Sequence, residues 1–201
     1  MTDLNEDISY MRRLAEQGRQ GSILGGASLA AAGTIFGLTS LVQWGVLSGL
    51  LPIPVDQSGN IWLGASALFA VVWGVVFQRV FKAGRTAGNA SNTTFAMTWM
   101  GCAIGIVVSC AAIGIAAYQT HSLDMLYLIS PVVLAFYGAA WWSVAAVAHR
   151  RWMFLASAAA FVSTLLLAAT SASLLQLPVM GAALLLTLAL PGFKLMTEEA
   201  R

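Results

Sequence analysis

Long apolar stretches alternate with short polar connections along almost the whole of this chain. The apolar stretches cover residues 23–50, 61–80, 95–118, 126–148, 152–170 and 174–190. A helix that crosses the hydrocarbon layer of a membrane needs about 17 to 25 mostly apolar residues, and every stretch reaches that length. The pattern therefore predicts an all-α fold: a polytopic transmembrane helix bundle of six crossings that occupies residues 22–192.

Prolines fall in two of these stretches. Pro131 lies near the start of the fourth and predicts a bend there, because proline removes a backbone donor from a helix. Pro178 lies in the sixth, which is also the shortest. A five-crossing alternative would place Lys194 and Arg201 on the other side of the membrane from the remaining basic residues.

The basic residues fall on one side of this pattern. The chain has ten Lys and Arg residues: Arg12, Arg13, Arg19, Arg79, Lys82, Arg85, Arg150, Arg151, Lys194 and Arg201. None lies in the three alternate connections, and short loops rich in Lys and Arg remain in the cytoplasm during insertion. Both termini are therefore predicted to be cytoplasmic, with residues 193–201 as a cytoplasmic tail.

Composition narrows the class of protein further. Hydrophobic residues make up 59% of the chain and charged residues only 9%, far from the balance of a soluble domain. We therefore expect the chain to be embedded in a lipid bilayer, which is its predicted principal partner. No basic stripe interleaved with aromatic residues is seen, so nucleic-acid binding is not expected.

Residues 1–21 are polar and predict a short amphipathic cytoplasmic helix before the first crossing. Its apolar positions recur at helical spacing and are followed by two arginines. One interpretation is a helix that lies on the inner membrane surface. The other is a docking surface for a cytoplasmic protein, formed by Leu4, Ile8, Met11, Arg12 and Arg13.

Glycines recur at every fourth position along parts of the first crossing, and others punctuate the third. Close helix packing in a membrane depends on such small residues, because hydrophobic burial does not drive association in lipid. We expect packing within one subunit, with homo-oligomerisation as the alternative use of the same surface. The predicted packing positions are Gly25, Gly33, Gly37, Gly101 and Gly105.

Groups that carry chemistry are sparse. No Asp, Glu, Lys or Arg lies in the middle of a predicted crossing, which argues against a carrier coupled to protons or sodium through a buried carboxylate. His121 and His149 are predicted at opposite membrane faces, so they cannot form a paired metal or haem site. No catalytic residue, cofactor or metal is predicted. Gln43, Tyr137 and Trp141 are the candidate lining of a cavity for neutral solutes.

The opening residues 10–19, YMRRLAEQGR, are followed shortly by an apolar helix that contains a Gly-Gly pair. This start, over about forty residues, resembles that of a set of uncharacterised bacterial six-helix inner-membrane proteins. The resemblance implies bacterial origin and inner-membrane topology, and it brings no activity with it. The sequence thus predicts a non-enzymatic membrane protein that anchors, senses or regulates through a partner. The alternative is a small carrier or channel for neutral or hydrophobic solutes.

Overall fold

Helices account for nearly all of the chain that the computed structural model describes, which is residues 25–82 and 90–199. The α-helices are α1 (Gly26–Leu47), α2 (Ser58–Lys82), α3 (Ala90–Thr120), α4 (Ile129–Ala148), α5 (Arg151–Ala169), α6 (Gln176–Leu184) and α7 (Leu190–Glu199). Short 3₁₀ helices, Val55–Gln57 and Leu123–Leu128, precede α2 and α4. The predicted amphipathic helix with Leu4, Ile8, Met11, Arg12 and Arg13 lies outside the described residues.

Six helical stretches are long and apolar enough to cross a membrane. They confirm the predicted all-α fold and its six apolar helices, and they are those of a multi-pass membrane protein. The last one joins α6 to α7 through a π-helical segment, Leu185–Ala189, and runs without a break over Gln176–Glu199. This sixth span is therefore longer than predicted, because most of the expected tail of residues 193–201 continues the helix.

Both prolines of the predicted crossings lie in the first turn of a helix. Pro131 is the third residue of α4, and Pro178 is the third residue of α6. The first four N–H groups of a helix have no partner within it, so a proline there removes no helical hydrogen bond. The reason given for a bend at Pro131, the loss of a backbone donor, therefore does not apply within α4.

Three helices end in a residue with left-handed backbone conformation. Gly49 follows α1 with a φ of 75°, His121 follows α3 with a φ of 51°, and His149 follows α4 with a φ of 52°. At His121 the N–H of Ser122 donates to Ala117 O and that of His121 donates to Tyr118 O, which is a Schellman motif. Both histidines thus terminate helices, a role that asparagine or glycine more often takes.

The helices are arranged around a central antiparallel pair, α1 and the sixth span. The fourth and fifth helices pack closely on each other, and α5 contacts the sixth span. On the outside, α2 packs on α1 and α3 packs on α4. The most deeply buried large side chains come from the inner helices: Trp141, Leu134, Met153, Leu167 and Leu188.

The bundle has two distinct ends. At one end α1 begins, α4 passes into α5, and the sixth span finishes beside Gly26, whose backbone N–H donates to Glu199 Oε1. We call this the basic end, because Arg150, Arg151 and Lys194 lie there. At the other, opposite end lie the 3₁₀ helices and the loop between α5 and α6.

Candidate functional site

The central helix pair is packed backbone against backbone. A methyl group at Gly33 would overlap the Ala189 backbone, and one at Gly192 would overlap that of Ala30. A methyl group at Gly37 would lie 3.0 Å from Leu185 Cγ. We call this contact the seam. It leaves no space for a solute path between α1 and the sixth span along those turns.

The other predicted packing glycines behave differently from one another. A methyl group at Gly25 would come within 2.6 Å of the Phe95 ring, and one at Gly105 within 2.6 Å of the Phe136 ring. Among the described residues, by contrast, nothing lies within 4 Å of a methyl group added at Gly101. Gly101 thus makes no close contact with another described helix of the same chain.

A cluster of aromatic rings joins four helices near the basic end. Trp99 of α3 lies 5.7 Å from Tyr137 and 5.5 Å from Trp141, measured between ring centroids. Trp141 lies 5.9 Å from Trp152 of α5. Lys194 Nζ of the sixth span lies 4.4 Å from the centre of the Trp152 ring, a cation–π contact. We call these five residues, together with Phe95, the aromatic cluster.

The centre of this cluster is fixed by one hydrogen bond. Trp141 is fully buried, and its indole Nε1–H donates to Thr187 O at 2.8 Å. In a regular helix that oxygen would accept the N–H of residue 191, but residue 191 is a proline and has none. Pro191 thus leaves Thr187 O, which lies within the π-helical segment, without this α-helical donor, and Trp141 donates to it.

Charged side chains of the basic end also connect different helices. Arg150 Nη1 forms an ion pair with Glu198 Oε2, which ties the α4–α5 turn to the end of the sixth span. Glu199 holds the start of α1 through Gly26. These contacts and the aromatic cluster connect the described helices to one another at this end.

A pocket of about 330 Å³ lies at the opposite end. Three parts of the chain meet around it: the end of α1, the start of α4 with its 3₁₀ helix, and the start of α6 with its preceding loop. The residues that line it are Gln43, Leu47, Leu126, Tyr127, Ser130, Ala172, Ser173, Leu174, Gln176 and Leu177. Its lining is mainly apolar, with polar groups from Gln43, Tyr127, Ser130, Ser173 and Gln176.

The three candidate cavity residues do not come together. Gln43 lines the pocket and accepts a hydrogen bond from Trp62 Nε1 at 2.9 Å. Tyr137 and Trp141 belong to the aromatic cluster. Gly33 lies against Leu188 and Ala189, next to the Thr187 carbonyl that Trp141 binds. Gln43 is ten residues farther along α1, a helical rise of about 15 Å. The pocket and the buried aromatic rings are therefore separate regions.

Ser130 and Gln176 are pocket residues that the sequence analysis did not single out. Both lie in the first turn of a helix and shortly before a first-turn proline, Pro131 or Pro178. A polar residue just before or near a proline at the start of an apolar stretch was the pattern that could have identified them. It marks a helix start, where side chains from several elements converge.

Within residues 25–82 and 90–199, no group of three or more His, Cys, Asp or Glu residues is placed to hold a metal ion. Cys102 and Cys110 are both free thiols on α3. The features left as candidates for function are the pocket and the surfaces of the two ends.

Comparison of the chain with family models, with curated proteins and with solved structures finds no match.

Proposed function

We propose that this chain is a non-enzymatic multi-pass protein of a bacterial inner membrane, with both termini in the cytoplasm, that anchors, senses or regulates through a protein partner. Assignment to bacteria rests on the resemblance of residues 10–19. The cytoplasmic termini rest on the positions of the basic residues.

The seam is the single observation that carries this proposal. Backbone contacts at Gly33 and Gly192 make the centre of the bundle a solid support, since neighbouring helices there have no room to separate around a solute. We therefore expect a partner to bind side chains at the ends of the bundle. At the basic end, Arg151, Lys194 and Thr197 are exposed.

The first described helix, α1, begins at this same basic end. We propose that one cytoplasmic partner recognises both the apolar row of Leu4, Ile8 and Met11 and the exposed cationic surface of this end. The aromatic cluster and the Arg150–Glu198 ion pair support that surface from within, because they join α3, α4, α5 and the sixth span.

The test is recovery of cross-linked partners from membranes that contain a triple variant, Leu4→Ser, Ile8→Ser and Met11→Ser. We expect partner bands to disappear while the amount of inserted protein stays the same. A matched variant, Asn5→Ala, Ser9→Ala and Gln17→Ala, changes the same number of residues outside the apolar row and should retain the bands. Equal recovery from both variants would contradict the proposal.

A second function is supported by the pocket: passage of a neutral or hydrophobic solute. It requires the pocket to communicate with the basic end, past the seam. Solute flux in proteoliposomes that is abolished by Gln43→Leu would establish it. No flux above protein-free vesicles, for polyols and for uncharged aromatic solutes alike, is the result that the anchoring function predicts.

A further inference from the structure

The pocket at the opposite end contains two glutamine amides whose orientations are fixed by their partners. Gln176 is only 6% exposed and its Nε2 donates to Tyr127 O at 2.7 Å. Gln43 Oε1 accepts the indole N–H of Trp62. A carbonyl only accepts and an indole N–H only donates, so neither amide can be reversed.

Each amide therefore presents its other half for further bonding. Gln43 offers N–H donors from Nε2, and Gln176 offers the Oε1 acceptor; within the described part of the chain, no hydrogen bond occupies either atom. The Ser130 hydroxyl adds a group that both donates and accepts. The pocket can thus bind a ligand that carries both hydroxyl and carbonyl oxygens.

The electrostatics of the pocket favour an uncharged ligand. All ten lining residues are neutral. A phosphate would ordinarily be paired with Arg or Lys, but Arg150, Arg151 and Lys194 lie at the other end of the bundle.

The remaining lining is apolar and adjoins the membrane. Leu47, Leu126, Leu174 and Leu177 contribute to it, and Leu126 and Leu174 are exposed on its outer side. The pocket lies where the apolar helices begin and end, so a ligand could place an oxygen-rich end inside and acyl chains along the bundle. Its volume of about 330 Å³ is at the small end of ligand pockets, a size suited to a headgroup but not to a whole lipid.

We infer that this pocket binds the uncharged glycerol-ester end of a diacylglycerol-type lipid, with Gln43, Ser130 and Gln176 as its polar contacts. A soluble polyol has the same hydroxyl groups but no apolar part that could pack against the four leucines. The inference does not depend on the proposed function, because lipid binding and partner recovery are measured separately.

The test is photo-labelling of the full chain in proteoliposomes with a diacylglycerol that carries a diazirine near its ester groups. We expect labelled peptides from the 3₁₀–α4 start or the α5–α6 loop. Excess unlabelled diacylglycerol should compete, whereas glycerol and phosphatidic acid should not. Labelling confined to α2 or α3 would overturn the inference, as would competition by glycerol alone, which would assign the pocket to a soluble polyol.

Variants locate the binding contacts. Ser130→Leu fills the pocket and should abolish labelling, whereas Ser130→Ala removes one hydrogen bond and should weaken it roughly two- to tenfold. Ser171→Ala is the control, since Ser171 lies in the α5–α6 loop beside the pocket but donates its hydroxyl to Leu167 O and is not part of the pocket lining. Unchanged labelling of the folded Ser130→Leu protein would overturn the inference, with folding judged by an unaltered thermal transition.

Discussion

The seam helices and the outer helices use the same small apolar residues in opposite ways. In the most apolar window of α1 and of the sixth span, 50% of residues are buried, against 6% for the second span and 11% for the third. Gly33 lies against the backbone of Ala189, whereas among the described residues nothing lies within 4 Å of a methyl group added at Gly101 or Gly64. Along the seam, a glycine thus brings two helix backbones together where the facing helix also carries a small residue.

Facing pairs of small residues make this difference visible. Along the seam, Gly192 meets Ala30, Gly33 meets Ala189, and Gly37 meets Gly181. Gly105 has no small residue opposite it and instead faces the Phe136 ring. A side-chain ring can shift to accept an added methyl group, whereas a helix backbone cannot shift so easily. We therefore expect the cost of adding a side chain to fall from the seam outward.

The largest effect is expected at the seam. Gly33→Ala places a methyl group on the Ala189 backbone, and overpacking of this kind costs about 1–3 kcal/mol in free energy of unfolding. Gly33→Leu should prevent assembly of the folded bundle. Denaturant unfolding of the purified protein in detergent measures both.

Gly101→Ala is the matched control for that measurement. Its methyl group meets open space, so the free energy of unfolding should stay within about 0.5 kcal/mol of the parent value. Equal losses at Gly33 and Gly101 would remove the distinction between the seam and the outer helices.

An effect smaller than that of Gly33→Leu, and comparable to that of Gly33→Ala, is expected where the aromatic cluster meets the sixth span. Trp141→Phe leaves Thr187 O without its donor, and an unsatisfied buried acceptor costs about 1–3 kcal/mol. Trp142→Phe changes a neighbouring tryptophan that is 57% exposed, and it should cost much less.

Pro191→Ala sharpens this comparison, because alanine supplies a backbone N–H that can bond to Thr187 O. We expect the cost of Trp141→Phe to shrink when Pro191→Ala is present. Full additivity of the two changes in a double-mutant cycle would show that Pro191 does not create the acceptor.

The smallest effect is expected for the ion pair of Arg150 and Glu198. About a quarter of each side chain is exposed, so water screens the pair and its removal should cost no more than about 1 kcal/mol. The matched change is Arg151→Gln, since Arg151 is exposed. A loss at Arg150→Gln as large as that at Gly33→Ala would place the basic end, and not the seam, at the centre of stability.

The helices were predictable because apolar stretches long enough to cross a membrane, bounded by polar and charged residues, appear directly in the sequence. Their ends were less so: the sixth span continues past Lys194 because Phe193 and Leu195 extend its helical pattern beyond the apolar run. The first-turn positions of Pro131 and Pro178 were not predicted, since a proline in a first turn and a proline in a helix middle look alike in sequence.

The candidate site was predictable only in part. Gln43 was identified as a polar residue in an apolar helix. Its distance from Trp141 depends on how α1 and α4 are aligned along the bundle, and the sequence of either helix does not show that alignment. Gln176 and Ser130 depend on three helix ends meeting, and no local pattern encodes that meeting. Gly101 was expected to pack because its spacing from Gly105 matches a contact stripe, yet only the facing helix decides which glycine is covered.

The most direct test of the proposed function is to determine on which side of the membrane the basic end lies. Chemical labelling of single cysteines can show this. In a background with Cys102→Ala and Cys110→Ala, one variant carries Asp124→Cys at the exposed opposite end and another carries Thr197→Cys at the exposed basic end. With a membrane-impermeant maleimide, we expect Asp124→Cys to react in cells with only the outer membrane opened, and Thr197→Cys to react only after the inner membrane is broken. The reverse pattern would place the basic end outside the cytoplasm and contradict the proposed function.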